Sequence, residues 1–300
     1  MNNLNQFALP AWKLLAVLLL LSAGHQALAQ QAGMIQGLQM PAWIERRGAR
    51  APLSPGMLLN SGDRLMTGSG ARILLQLGDG SFVKLGENAD FVLRDIVPAS
   101  SPKGVFSGLL DVVKGAFRYT TTLLSRQRRH NLSIRIAAVT ARVRGTDLWA
   151  KAAADKDILC LIDGDILVQP DGGAAFRMNQ PLSFYTAVNG DAAKPVAPVA
   201  PEQLQRWAAQ VELSINDGAL TGSGPWSLII TSLLDRALAL QRQQELQAAG
   251  YPVVIEAVTL KGRHWHRLVI RGLARAIGAN KVAKGLEGKF GIRDAWIRHN

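Results

Sequence analysis

The residues best suited to recognition chemistry lie near the C-terminus. Trp265, Arg267 and Arg271 fall at even spacing within the run His264 to Arg271, and Trp296 and Arg298 repeat that spacing further on. Residues two apart share one face of a strand. Aromatic rings offer flat stacking area and guanidinium groups offer forked donors. A face carrying both suits a polymer of flat, hydroxyl-rich or anionic units. Bond-making chemistry has less support. His264 and His266 would share a strand face, with His299 nearby, but no Cys, Asp or Glu lies close in sequence to complete a metal set. No Ser-His-Asp order, paired carboxylates or phosphate-cradling glycine loop stands out, and Gly68-Ser69-Gly70 reads as a turn. The chain is read as a binder and not an enzyme, with no cofactor and no metal.

The elements that must position these residues follow from local pattern. Ser227 to Ser232 alternates as a strand. Asp235 to Ala249, free of Gly and Pro and rich in Ala, Leu, Gln and Arg, is a helix that Gly250 ends. Tyr251 to Val258 and His264 to Arg271 are strands joined by the turn Leu260-Lys261-Gly262-Arg263. Ala274 to Phe290 is a second helix and Ala295 to Arg298 a last strand. This βαββαβ order predicts a ferredoxin-like split sandwich with both helices on one sheet face. Leu268 and Ile270 then belong under the helices. Trp265, Arg267 and Arg271 face water, joined by Ile229, Trp296 and Arg298. From Gly222 onward there are twelve Lys or Arg against five Asp or Glu, which is more than half of the net charge of +12 on the whole chain.

That charge, with a pI near 10.3, predicts attraction to polyanions: nucleic acid, anionic lipid headgroups or the polymers of a bacterial envelope. Compartment narrows the choice. Lys13 precedes an apolar run from Leu14 to Ala23, too short to span a bilayer comfortably, and Ala27-Leu28-Ala29 supplies a small-x-small cleavage pattern. Residues 1–29 are therefore expected to be a secretory signal peptide cut after Ala29, giving a periplasmic protein with no integral span after cleavage. Nucleic acid is not an expected partner there. The single cysteine, Cys160, sits in the apolar run Ile158 to Ile162 and reads as a small buried hydrophobe.

Residues 35–188 read as an all-β domain. Arg72 to Leu77 and Phe82 to Leu85 form a hairpin around Gly78-Asp79-Gly80, and Ile134 to Val143, Leu148 to Ala152 and Ile158 to Ile162 repeat the grammar. One helix is expected near Val105 to Lys114. The run Arg126, Arg128, Arg129 with His130 reads as a solvated loop. Residues 189–223 read as a Pro/Gly-rich linker holding a short amphipathic helix, Pro201 to about Leu213, whose Trp207 docks on the β domain. Thr221-Gly222-Ser223-Gly224 reads as a flexible joint before residues 224–300.

Two family resemblances rest on these residues. Gly62-Asp63, Thr67-Gly68, LGDGSFVKL from Leu77 to Leu85, the Val112 to Phe117 strand, Val139 to Thr146 ending in Arg-Gly-Thr, and Asp163-Gly164-Asp165 together resemble the FecR domain over residues of about 56–170. That resemblance implies a β-rich periplasmic module. Only thirteen residues precede the apolar run, so the cytoplasmic domain of the family's sigma regulators is not expected. Trp226 to Leu233, the helix ending Leu246-Gln247-Ala248-Ala249-Gly250-Tyr251, and Trp265 to Leu273 resemble the SPOR domain over about 224–299. Ile229 stands where that family favours Gln, Thr231 where it favours Gly, and Leu233 and Leu273 where it favours aromatics. The second resemblance implies binding of peptidoglycan glycan strands stripped of their stem peptides, on the open sheet face. The expected protein is a non-enzymatic envelope binder whose β domain meets a protein or envelope partner. The alternative is a FecR-type signalling or scaffold protein whose terminal module binds a protein.

Overall fold

Short alternating segments punctuated by Gly and Asp leave little room for a helix, and residues 31–221 are built mainly of strands. The computed structural model describes residues 31–98, 104–122, 129–188 and 194–300. The expected signal peptide, together with Arg126 and Arg128, lies outside the described residues. The strands run β1 (Gln31–Gln39), β2 (Ala42–Arg46), β3 (Ala49–Pro52), β4 (Leu58–Asn60), β5 (Arg64–Thr67), β6 (Arg72–Leu77), β7 (Phe82–Leu85) and β8 (Asp90–Val97). They continue with β9 (Val105–Thr120), β10 (Arg129–Ile136), β11 (Val139–Ala152), β12 (Lys156–Pro170), β13 (Phe176–Met178), β14 (Ser183–Val188) and β15 (Lys194–Pro198). Helix α1 (Pro201–Ala209) and strand β16 (Ala219–Thr221) complete this part. None of the helices among the described residues is long and apolar enough to cross a membrane.

The Asp-Gly hairpin forms as its sequence demands. β6 pairs antiparallel with β7, Gln76 opposite Phe82. The buried Asp79 carboxylate caps the turn, accepting from the Ser81 N–H at 3.0 Å and the Ser81 hydroxyl at 2.6 Å. The helix expected near Val105 to Lys114 is not there. Those residues belong to β9, which pairs with β8, β10, β7 and β11. Register shifts between β8 and β9 break the clean alternation of buried residues, and that broken period imitates a helical one.

Two strands within residues 189–223, the stretch expected to be a linker, are instead built into the sheet. β15 pairs with β14, and β16 pairs with β1 on one side and with the terminal part on the other. A strand such as β16, held by partners on two sides, cannot act as a loose joint. Trp207 does anchor α1: it is buried and stacks on Trp149 with ring centroids 4.7 Å apart and planes 7° from parallel. Phe184 meets it edge-on, and Cys160 and Val211 fill the same apolar cluster. Residues 31–300 form one compact unit.

The terminal part contains β17 (Trp226–Leu233), helix α2 (Arg236–Ala248), β18 (Val254–Leu260), β19 (Arg263–Leu273), helix α3 (Ala276–Phe290) and β20 (Trp296–His299). All pairings are antiparallel, in the spatial order β18, β19, β17, β20. Asp235 caps α2, accepting from the N–H groups of Ala237 and Leu238. Leu228, Ile230, Leu268 and Ile270 form one core with Ala239 and Leu246 of α2 and Ala279 and Leu286 of α3. Both helices therefore cover the same face of the sheet.

Candidate functional site

The other face of this sheet carries the residues picked out by their spacing, and the hairpin between β18 and β19 sets their register. Lys261 and Gly262 both have positive φ, the requirement of a tight two-residue turn whose twist matches its strands. The turn puts Leu260 opposite Arg263, Val258 opposite Trp265, Glu256 opposite Arg267 and Val254 opposite Val269. Across the sheet Val269 faces Ile229, Ile229 faces Trp296, Ser232 faces Arg267 and Ser227 faces Arg298. Direct cross-strand partners share a face, so Trp265, Arg267, Arg271, Ile229, Trp296 and Arg298 all project to the side away from the helices.

They do not all meet solvent. Trp296 is 41% exposed and Arg271 is exposed, whereas Trp265, Arg267 and Arg298 are half-buried. Ile229, expected to be open to water, is completely buried, as is Val269 beside it. Neither belongs to the apolar clusters of the molecule. The group whose bridge crosses their row is a residue that the sequence reading did not single out, Glu256 on β18. Its carboxylate accepts from Arg271 Nε at 2.9 Å and Nη2 at 2.6 Å, and from Arg298 Nη1 at 3.2 Å and Nη2 at 3.1 Å. β18 and β20 are the two outer strands, so the bridge from Glu256 to Arg298 must cross β19 and β17. Val269 and Ile229 lie beneath that crossing.

Electrostatics favours the arrangement. Burial pushes the Glu256 carboxyl up, but the hydrogen bonds from Arg298 and Arg271 outweigh that effect and hold it below the ordinary glutamate value. Arg267 places its guanidinium carbon 5.7 Å from the centre of the Trp296 ring, within cation–π range. Arg267 Nε and Ser232 Oγ, which sit on opposed residues, are buried without a hydrogen-bond partner. The face is thus an apolar floor crossed by a glutamate held between two arginines. A tryptophan–arginine pair and two unsatisfied polar atoms flank it.

The histidines do not join this face as a set. His264 Nδ1 lies 3.0 Å from the Thr259 hydroxyl, and His299 meets the Trp226 ring edge-on. His266 lies opposite Ala257 and Leu233. Among the described residues no group of three or more His, Cys, Asp or Glu is placed to hold a metal ion. A cleft of about 650 Å³ lies elsewhere, lined among others by Phe176, Tyr185, Asp171 and Lys194.

Comparison with known proteins gives the following. No curated protein matches the chain at a significant level. Two crystal structures of a candidate anti-sigma factor from Parabacteroides distasonis ATCC 8503 are 12% identical to it with a TM-score of 0.40. One covers 79% of this chain and 99% of its own, the other 77% and 92%. Family models match two separate segments: residues 63–167 match the FecR protein family, and residues 222–298 match the SPOR domain, in that order along the chain.

Proposed function

We propose that this chain is a non-enzymatic protein of the bacterial envelope that binds peptidoglycan glycan strands through the face of β17 to β20. The SPOR match implies peptidoglycan binding, and the FecR match implies a signalling role. The single observation that carries the reading is that the segment matching the SPOR domain presents Trp265, Arg267, Arg271, Trp296 and Arg298 on the sheet face that its helices leave uncovered. Sugar rings need stacking surface, and their hydroxyl and carboxyl groups need donors. Tryptophan and arginine supply these. The strand order β18, β19, β17, β20, with both helices on one side, supports a ferredoxin-like description of the module.

The remaining strands, covering residues 35–188, would serve as an interaction module for an envelope protein or another envelope component. Residues 1–29 would direct export and be removed after Ala29, leaving a periplasmic protein. The test is co-sedimentation of the full mature chain with purified sacculi, intact or treated with an amidase that removes stem peptides. Retention on treated sacculi, with less on intact ones and none on RNA beads, is the expected result. Equal binding to RNA would refute a glycan-specific role.

A further inference from the structure

Among the strand residues of this face Glu256 is the one carboxylate, beside Arg263, Arg267, Arg271 and Arg298. Its side chain is only 13% exposed, while those of Arg271 and Arg298 are 59% and 37% exposed. The arginines thus keep open edges toward solvent while the carboxylate between them is covered. Two forked donors converging on one carboxylate is a carboxylate-binding arrangement. Here it is filled from within the chain, over the fully buried Val269 and Ile229. In the cross-strand row formed by Glu256, Arg267 and Ser232, Arg267 Nε and Ser232 Oγ are buried with no partner. Donors without acceptors beside a filled carboxylate site mark a surface with unused recognition capacity.

We propose that Glu256 occupies a carboxylate subsite of the glycan-binding face, and that a ligand carboxylate takes its place on Arg271 and Arg298. The ligand class is then a glycan bearing free carboxylates. This inference rests on the glycan reading above and adds a basis for selectivity. A lactyl group still joined to its stem peptide is an amide and carries no charge at that position, whereas removal of the peptide leaves a carboxylate. Exchange against Glu256 therefore discriminates stripped from intact strands by charge. Glu256 sets a threshold, because every incoming carboxylate must compete with it.

The experiment measures affinity of the full mature chain for amidase-stripped glycan strands and for the same strands after methyl esterification of their carboxyl groups. The proteins are the wild type, Glu256→Gln and Glu256→Asp. Glu256→Gln removes the competing charge with almost no change of shape. It should tighten binding to stripped strands roughly five-fold, the order expected for one partly exposed ion pair, and leave binding to esterified strands unchanged. Glu256→Asp keeps the charge but is one methylene too short to span both arginines, so it should shift affinity the same way by less. It also guards against a misfolded Gln variant. Unchanged or weaker binding of both variants to stripped strands overturns the subsite, as does equal tightening on both kinds of strand. If the wild type binds stripped strands and the variants do not differ from it, this inference alone fails. If no protein binds either strand, the glycan reading fails as well.

Discussion

Replacing Gly250 by alanine should cost about 2–5 kcal/mol of folding stability. Gly250 follows the C-terminus of α2 with φ of +87°. Its N–H donates to the Gln247 carbonyl and the Tyr251 N–H to the Leu246 carbonyl, so the helix end closes through a left-handed residue. Forcing an L-side chain into that conformation costs about 1–2 kcal/mol. A Cβ there would also stand 2.7 Å from Trp43 Cε2 and 2.9 Å from Pro41 Cβ. The indole cannot simply swing away, because its Nε1 donates to the Ala248 carbonyl at 2.9 Å while the Ala42 N–H donates to the Gly250 carbonyl at 3.2 Å. Overpacking against such a wall costs a further ~1–3 kcal/mol. A double-mutant cycle in urea separates the two contributions. In a Trp43→Ala background the backbone cost of about 1–2 kcal/mol and the contact with Pro41 remain, so the cost of the substitution should fall by up to about 3 kcal/mol, the share of the overpacking that Trp43 carries. A single-mutant cost below about 1 kcal/mol, or one unchanged when Trp43 is gone, would refute the packing of this helix end against β2.

The double variant Trp265→Ala, Arg267→Ala should lose retention on amidase-treated sacculi while its circular dichroism stays native; undiminished retention would remove this face from the binding account. Trp207→Ala deletes the stack on Trp149 and should cost about 3–5 kcal/mol, measured by urea unfolding. Burial, with the Asp147 charge adding to it, pushes the Cys160 thiol up to about 12, so a thiol reagent at pH 8 should react with Cys160 only at the rate of unfolding. The folded-state pKa of Glu256 is lowered, so the stabilisation it gives is complete above the ordinary value of 4.5 and is lost as pH falls through the lower folded value. The difference in melting temperature between wild type and Glu256→Gln should therefore hold from neutral pH down to about 4.5 and shrink in stronger acid.

Much of the terminal part was legible because its signals are local. The gap in Gly and Pro from Asp235 to Ala249 marks α2, and parity along His264 to Arg271 separates Leu268 and Ile270 from Trp265, Arg267 and Arg271. Parity tells which way a side chain points but not what lies above it, so Ile229 points as expected yet is covered. The bridge across its row was half visible. Counting outward from the Lys261-Gly262 turn puts Glu256 opposite Arg267. Its reach to Arg298 depends on the lateral order of four strands, which no local pattern carries. The misread segment at Val105 to Lys114 shows the converse, since register shifts along β9 remove the alternation by which a strand is known. The role of residues 194–221 was hidden for a third reason: three-residue β16 has no periodicity to read, and its partners β1 and β19 lie far away in sequence.

That last pairing bears on how the chain folds. Gln39 Nε2 donates to the Asp217 carbonyl across 178 residues of sequence, beside the pairing of β1 with β16. A contact so remote has a large loop-closure entropy to overcome and contributes only once both ends are in place. β4 takes up the first half of one edge of β1, but a chain made from its N-terminus holds Gly37 to Gln39 on that edge without their partner until residues 219–221 have been added. An unpaired strand edge is a template for association with other chains. The interval between the emergence of β1 and of β16 is thus one in which that stretch of edge is open to association, and a slower supply of chain after β1 would lengthen it.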